Sequence, residues 1–279
     1  MSVADADPDR ARDVAPYAAA YASAAELLAA GGVDALVVAT PPHSHLADAQ
    51  AAAAAGLPSL VEKPPAGDAT QARLLAQLEP PPWIGFNRRF EPAVRRVREE
   101  LPEEGRLQLE LTFNYRRRSW GAHVVADDPL LDVGTHLLDL ARWLTGSEVC
   151  RVRAGVLTAR RCRFEVELGR GAASISCAND RPYYEGVKVR DDQGSALAAS
   201  SRGGLVDAVR ARFASRSASP LVASLTEELA AFCDAVRGGS GSGLATADDG
   251  VAAMTAVEGV RRSADVGGWV DVPSTLSHD

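Results

Sequence analysis

The sequence predicts an α/β protein in two parts. A doubly wound parallel sheet is expected over residues 1–103, and an α+β unit with an open antiparallel sheet over 104–279. Three observations carry this. In the first part, short apolar runs alternate with helix-compatible segments across brief connections, the pattern of βαβ units. Beyond Glu104 the runs alternate apolar with polar residues, as strands buried on one face do. A content of 46% hydrophobic and 24% charged residues over 279 positions is that of a globular chain with a sizeable core.

The opening "SVADADPDRAR" reads as a strand end running into a helix. "VDALVVAT" (33–40) is apolar and β-branched, and its continuity predicts a strand buried on both faces. A helix follows over 45–55, stopped by Gly56. "LPSLVEK" is the next strand, and 68–79 the next helix, with Asp68 as its N-cap. "WIGF" is a third strand, leading to a helix over 91–101 with Pro92 in its first turn. In the second part, "RLQLELTFNY" places Leu107, Leu109, Leu111 and Phe113 on one face. An irregular stretch over 116–129 leads to a helix over 130–145, ended by Gly146. "CRVRAGVLTA", "CRFEVELG", "GAASISCA" and "YYEGVKVRD" predict the antiparallel sheet. Two helices, 224–239 and 248–265, close the chain.

A net charge of -7 argues against a general nucleic-acid binder, which would show a basic excess. No leader pattern opens the sequence and its Ala-rich stretches are too interrupted to span a bilayer, so no membrane role and a cytoplasmic location are expected. Cys150, Cys162, Cys177 and Cys233 form no CxxC and no zinc spacing; they are expected to be buried thiols, and no metal is expected.

Three stretches could carry chemistry. "TPPHSH" (40–45) follows a buried strand, where the loops of an open α/β sheet face the ligand crevice. A stiff strand-to-helix turn explains it equally well. "VEKPP" puts Lys63 at a strand tip, where an ammonium is costly unless paired. It could meet a substrate hydroxyl or a cofactor, or snorkel to solvent. "LLDVGTHLLDL" spaces Asp132 and His136 four apart, one face of a helix already begun at Asp132. A carboxylate-held histidine is a credible general base near neutral pH. A core histidine satisfied by Asp132 or Asp139 is the alternative. Around 116–129, Arg117, Trp120 and His123 could read a polar or anionic ligand.

In order along the chain, "DALVVATPPHSHLADAQAAAAAGLPSLVEKPPAG", "WIGFNRRFEPAVRRVRE", "LLDVGTHLLDLARWLTG" and the closing "ATADDGVAAMTAVEGVRRSADVGGWVDV" resemble the Gfo/Idh/MocA oxidoreductases, the glucose-fructose oxidoreductase and inositol dehydrogenase family. The resemblance runs from Val3 to Pro273, and EKP followed at this distance by DxxxH is its most specific part. It implies a Rossmann-like dinucleotide-binding domain over 1–103 and a substrate and oligomerisation domain over 104–279. It implies NAD (or NADP) as cofactor and the CH–OH group of a sugar, cyclitol or related small alcohol as substrate. Lys63 would contact the nicotinamide ribose and the substrate hydroxyl, Asp132 would position substrate, and His136 would be the general acid/base. Thr40, Pro41, His45, Glu62 and Asn87 would line the cofactor cleft, with Asp5 at the adenosine ribose. The open sheet face is expected to pair copies into a homo-oligomer. In the family a Gly-rich loop comes before the position of Asp5, and no GxGxxG occurs in this sequence. The N-terminal domain is therefore expected to be incomplete. A cofactor-free non-redox enzyme or a binding subunit is the alternative function.

Overall fold

The computed structural model describes residues 1–116, 128–203 and 220–274. Its first part comprises β1 (Ser2–Ala4), α1 (Pro8–Val14), β2 (Ala19–Tyr21), α2 (Ala24–Ala30), β3 (Leu36–Val38), α3 (His45–Ala54), β4 (Ser59–Glu62), α4 (Ala69–Ala76) and β5 (Trp83–Gly85). A 3₁₀ turn (Asn87–Phe90) and α5 (Pro92–Glu100) follow. All strand pairs here are parallel: β1 with β2, and a three-stranded sheet in the order β3-β4-β5. The local signals act as read. Asp68 caps α4 by accepting from the Gln71 N–H at 2.8 Å, and Pro92 occupies the first turn of α5. One expectation fails: Val37 is 46% exposed, so β3 is not buried on both faces. It is an edge strand of its sheet, and the side carrying Val37 is uncovered.

The second part holds β6 (Leu107–Arg116), a π-helical turn (Leu130–Gly134), α6 (Thr135–Thr145), β7 (Val149–Leu157), β8 (Arg161–Leu168), β9 (Gly171–Ala178), β10 (Asp180–Asp191) and β11 (Ala196–Gly203). It ends with α7 (Pro220–Val236), α8 (Ala247–Val266) and β12 (Val270–Asp271). The sheet order is β11-β10-β6-β9-β8-β7-β12. The sheet is mixed rather than antiparallel throughout, because β6 pairs parallel with β9. A parallel pair needs a crossover connection. Here the chain leaves β6, passes through α6, and returns along the β7-β8-β9 meander to lie beside it.

Side-chain alternation along β6 buries Leu107, Leu109, Leu111, Phe113 and Tyr115 against α6, and β8 adds Phe164 and Val166 to the same core. The close β6–β9 approach requires Gly171, whose φ is +142° and whose added Cβ would lie 1.8 Å from the Leu107 carbonyl oxygen. Cys162 and Cys177 sit opposite each other in this core, whereas Cys150 and Cys233 are exposed, correcting the expectation that all four are buried. The outward face carries cross-strand ion pairs such as Arg151–Glu167 and Lys188–Glu110.

Helix α8 touches both sheets. Near its start, Gly250 lets it approach Ile84 of β5; near its end, Gly259 lets it approach Val152 of β7 and Val272. Between them the Glu258 carboxylate accepts from the Ala69 N–H of α4 at 2.8 Å. Among the described residues no helix is long and apolar enough to cross a membrane.

Candidate active site

Lys63 follows the last residue of β4, at the carboxyl end of a parallel strand. Its Nζ donates to Asp132 Oδ1 at 2.8 Å and to the Asp132 main-chain carbonyl at 2.9 Å. The partner that makes this half-buried ammonium tolerable is thus Asp132, not the adjacent Glu62. Asp132 lies in the π turn that opens α6. Its other carboxylate oxygen accepts from the Tyr115 hydroxyl, at the inward position two residues beyond Phe113 on β6.

His136 stands one turn after Asp132 and is 5% exposed. Its ring meets the Phe86 ring edge-on at 5.8 Å, and among the described residues its Nδ1 has no hydrogen-bond partner. Asp132 therefore holds Lys63 and Tyr115 rather than His136. Burial, reinforced by the positive charges of Lys63 and Arg88, holds the imidazole well below the usual histidine range. The ring is neutral at neutral pH and can accept a proton.

The other expected cleft residues differ in kind. Thr40 and Pro41 are exposed at the end of β3. His45 is 1% exposed, with Nε2 2.7 Å from the Thr40 carbonyl and Nδ1 3.0 Å from the Pro64 carbonyl. It staples the 40–45 loop to the segment after Lys63, so its contacts are structural. The Glu62 carboxylate accepts from the Lys63 N–H at 3.2 Å; burial raises its pKa, against the pull of Lys63. Asn87 opens the 3₁₀ turn with a buried side-chain oxygen that has no partner among the described residues. Asp5 follows β1, where its carboxylate accepts from the Asp7 N–H at 2.8 Å and pairs with Arg10 at 3.3 Å. Arg117, Trp120 and His123 lie outside the described residues.

Behind the site sits a charged layer that sequence reading missed. Arg89 Nε donates to Asp139 at 2.9 Å, its Nη2 pairs with Asp249 at 3.0 Å, and Asp249 also pairs with Arg142 at 2.9 Å. Arg88 pairs with Glu185 at 3.1 Å and lies over the Phe113 ring. Glu228 of α7 is 1% exposed, and among the described residues neither of its carboxyl oxygens has a partner. Burial, helped by the charges of Glu62 and Asp139, pushes its pKa up to about 9. The folded state thus keeps a proton that the unfolded chain releases near the ordinary glutamate value. Stability is fullest below that value and declines as pH rises toward 9. Glu228→Gln should match the parent at pH 5 and exceed it at pH 8 by on the order of a few kcal/mol, read by urea unfolding at both pH values. Equal differences at the two pH values would mean that Glu228 is ionised in the fold.

Residues 1–80 match the profile of GFO_IDH_MocA, the oxidoreductase family with an NAD-binding Rossmann fold. Over those residues the chain is similar to the Gfo/Idh/MocA oxidoreductases. The chain is 33% identical over 162 residues to inositol 2-dehydrogenase 1 of Saccharopolyspora erythraea, covering 54% of the chain and 48% of that protein. It is 32% identical over 141 residues to the rhizopine catabolism protein MocA of Rhizobium meliloti, covering 48% and 44%. The chain thus spans about half the length of the curated relatives it matches. The likeness in fold extends further. The structure of GenD2 from gentamicin A biosynthesis in complex with NAD has a TM-score of 0.83 at 22% identity, over 98% of this chain and 89% of that one. That of scyllo-inositol dehydrogenase from Lactobacillus casei with bound NAD(H) and scyllo-inositol has a TM-score of 0.76 at 17% identity, over 98% and 91%.

Proposed function

We propose that this chain is an NAD(H)-dependent oxidoreductase acting on a CH–OH group of a sugar or cyclitol, with residues 1–103 serving the cofactor and 104–279 the substrate. The observation that carries this reading is the meeting of Lys63, from a parallel strand tip, with Asp132 and a buried neutral His136 from a distant helix. The cyclitol class is supported by the names of the relatives and by the polyhydroxylated ligand in a structure of the same fold.

The residues present fit the nicotinamide and ribose end of such a cofactor. The Asn87 side-chain oxygen is buried without a partner among the described residues, and Lys63 stands at the same end of the parallel sheet as the exposed Thr40 and Pro41. Asp5, an acid following a parallel strand, suits ribose hydroxyls and supports NAD over NADP. The sequence has no GxGxxG, so these residues do not account for the pyrophosphate. Bound there, the nicotinamide supplies the hydride acceptor. The protein's share is proton handling. His136, held neutral, takes the hydroxyl proton at one of its ring nitrogens. The Lys63 ammonium faces the oxygen as negative charge develops on it. Asp132 keeps that ammonium in place, and burial around His136 limits water.

NADH titration followed by nicotinamide fluorescence, with NAD reduction assayed on myo-inositol and scyllo-inositol, tests this reading. A saturable fluorescence change and cyclitol-dependent NADH formation are expected. No fluorescence change at millimolar NADH would overturn it, in favour of a cofactor-free role for the same residues.

A further inference from the structure

We propose that Tyr115 is a positioning residue of this site: its hydroxyl fixes Asp132 on Lys63 and so keeps the carboxylate off His136. The proposal rests on reading Lys63 and His136 as the proton-handling pair. Asp132 and His136 stand one helical turn apart, the separation at which two side chains share a face. A carboxylate so placed would ordinarily accept from the imidazole N–H and make the ring more basic. Here both carboxylate oxygens are engaged elsewhere, Oδ1 by Lys63 and Oδ2 by Tyr115, and His136 Nδ1 is left without a partner among the described residues.

The position of Tyr115 fits the role. Along β6 the inward residues Leu107, Leu109, Leu111 and Phe113 are apolar, and a hydroxyl appears only at 115, where the strand reaches the π turn. The Phe113 ring meets the Tyr115 ring edge-on at 6.3 Å, so the hydroxyl is carried on a packed support. The charged groups acting on His136 from the elements around it are Lys63, after β4, and Arg88, in the 3₁₀ turn. Both are cations, and Phe86 contributes only an apolar edge. With Asp132 turned away, the ring remains a weak base that stays neutral through the physiological range.

Tyr115→Phe in the full chain, read by NMR titration of the His136 ring, tests this; the chain has five histidines, and His136→Asn assigns the signal. Freed of the phenol, Asp132 Oδ2 can accept from His136 Nδ1–H. The midpoint should rise by about one pH unit, and the acid limb of the pH–rate profile should rise with it. In the double variant with Asp132→Asn the rise should vanish. Tyr115→Met, which also lacks the hydroxyl, should reproduce it if the phenylalanine variant folds poorly. A lower melting temperature with an unchanged His136 midpoint would overturn the proposal and leave Tyr115 a structural hydrogen bond. Because the titration needs no turnover, inactivity toward cyclitols would count against the proposed reaction without deciding the role of Tyr115.

Discussion

On the proposed reading, Lys63→Met should lower kcat about a thousandfold, while NADH binding should stay within about tenfold of the parent affinity. The expectation follows from what the ammonium touches. Its position is fixed by two bonds to Asp132, and its side chain remains 18% exposed, so a face is left for a ligand oxygen. Methionine keeps the stem and removes the charge. In the proposed reaction, the alkoxide that would form as His136 takes the proton then has no cation beside it, and a preorganised charge in a buried site is the costliest kind to lose. Part of the cost appears in stability, because Asp132 keeps only Tyr115 among the two side-chain donors described: about 1–3 kcal/mol, read by urea unfolding. Turnover by NADH absorbance decides the matter. A methionine variant retaining a tenth of parental kcat would remove Lys63 from the chemistry, whatever its effect on folding.

Arg89→Leu should destabilise the fold by about 3–5 kcal/mol, the cost of breaking a buried ion pair from one side. Arg89 is the side chain that joins the 3₁₀ turn to α6 through Asp139 and to α8 through Asp249. Without it Asp249 retains Arg142, but the fully buried Asp139 loses its paired cation. Burial already raises the Asp139 pKa against the pull of Arg89, so the orphaned group would take up a proton. That uptake limits the loss and shifts it toward higher pH. Replacing both partners, Arg89→Leu with Asp139→Leu, should recover much of it, since a well-packed apolar pair is often as stable as a buried ionic one. A single-variant loss below about 1 kcal/mol would show that the pair holds nothing together. His136 lies three residues before Asp139 on α6, so the variant should also disturb the site.

Much of this arrangement is legible in the residues alone. Period-2 burial along β6, the Asp68 cap and the Gly146 stop are local signals, and each acts locally. The pairing of a strand-tip lysine with a residue far along the chain can be suspected, because an ammonium there needs a partner, but the partner's identity is tertiary. Tyr115 continues the inward register of Leu107 to Phe113, yet nothing in "FNYRRR" says that its hydroxyl reaches the π turn. The parallel β6–β9 pair is hidden for a similar reason: alternation tells which face a strand buries, not which neighbour it takes. Glu228 reads as one acid among many in an amphipathic helix, and only packing against the 3₁₀ turn and the base of the site makes it an isolated, proton-holding group. Strands β2 and β11 are short or small-residue-rich and carry weak signals.

Helix α8 spans from Ile84 of the parallel sheet to Val152 of the mixed one, packed closely through Gly250 and Gly259. A strut held at two points, where an added Cβ would come to 3.0 Å from its neighbours, resists bending. One helix thus ties the two sheets together and braces them against swinging apart like jaws.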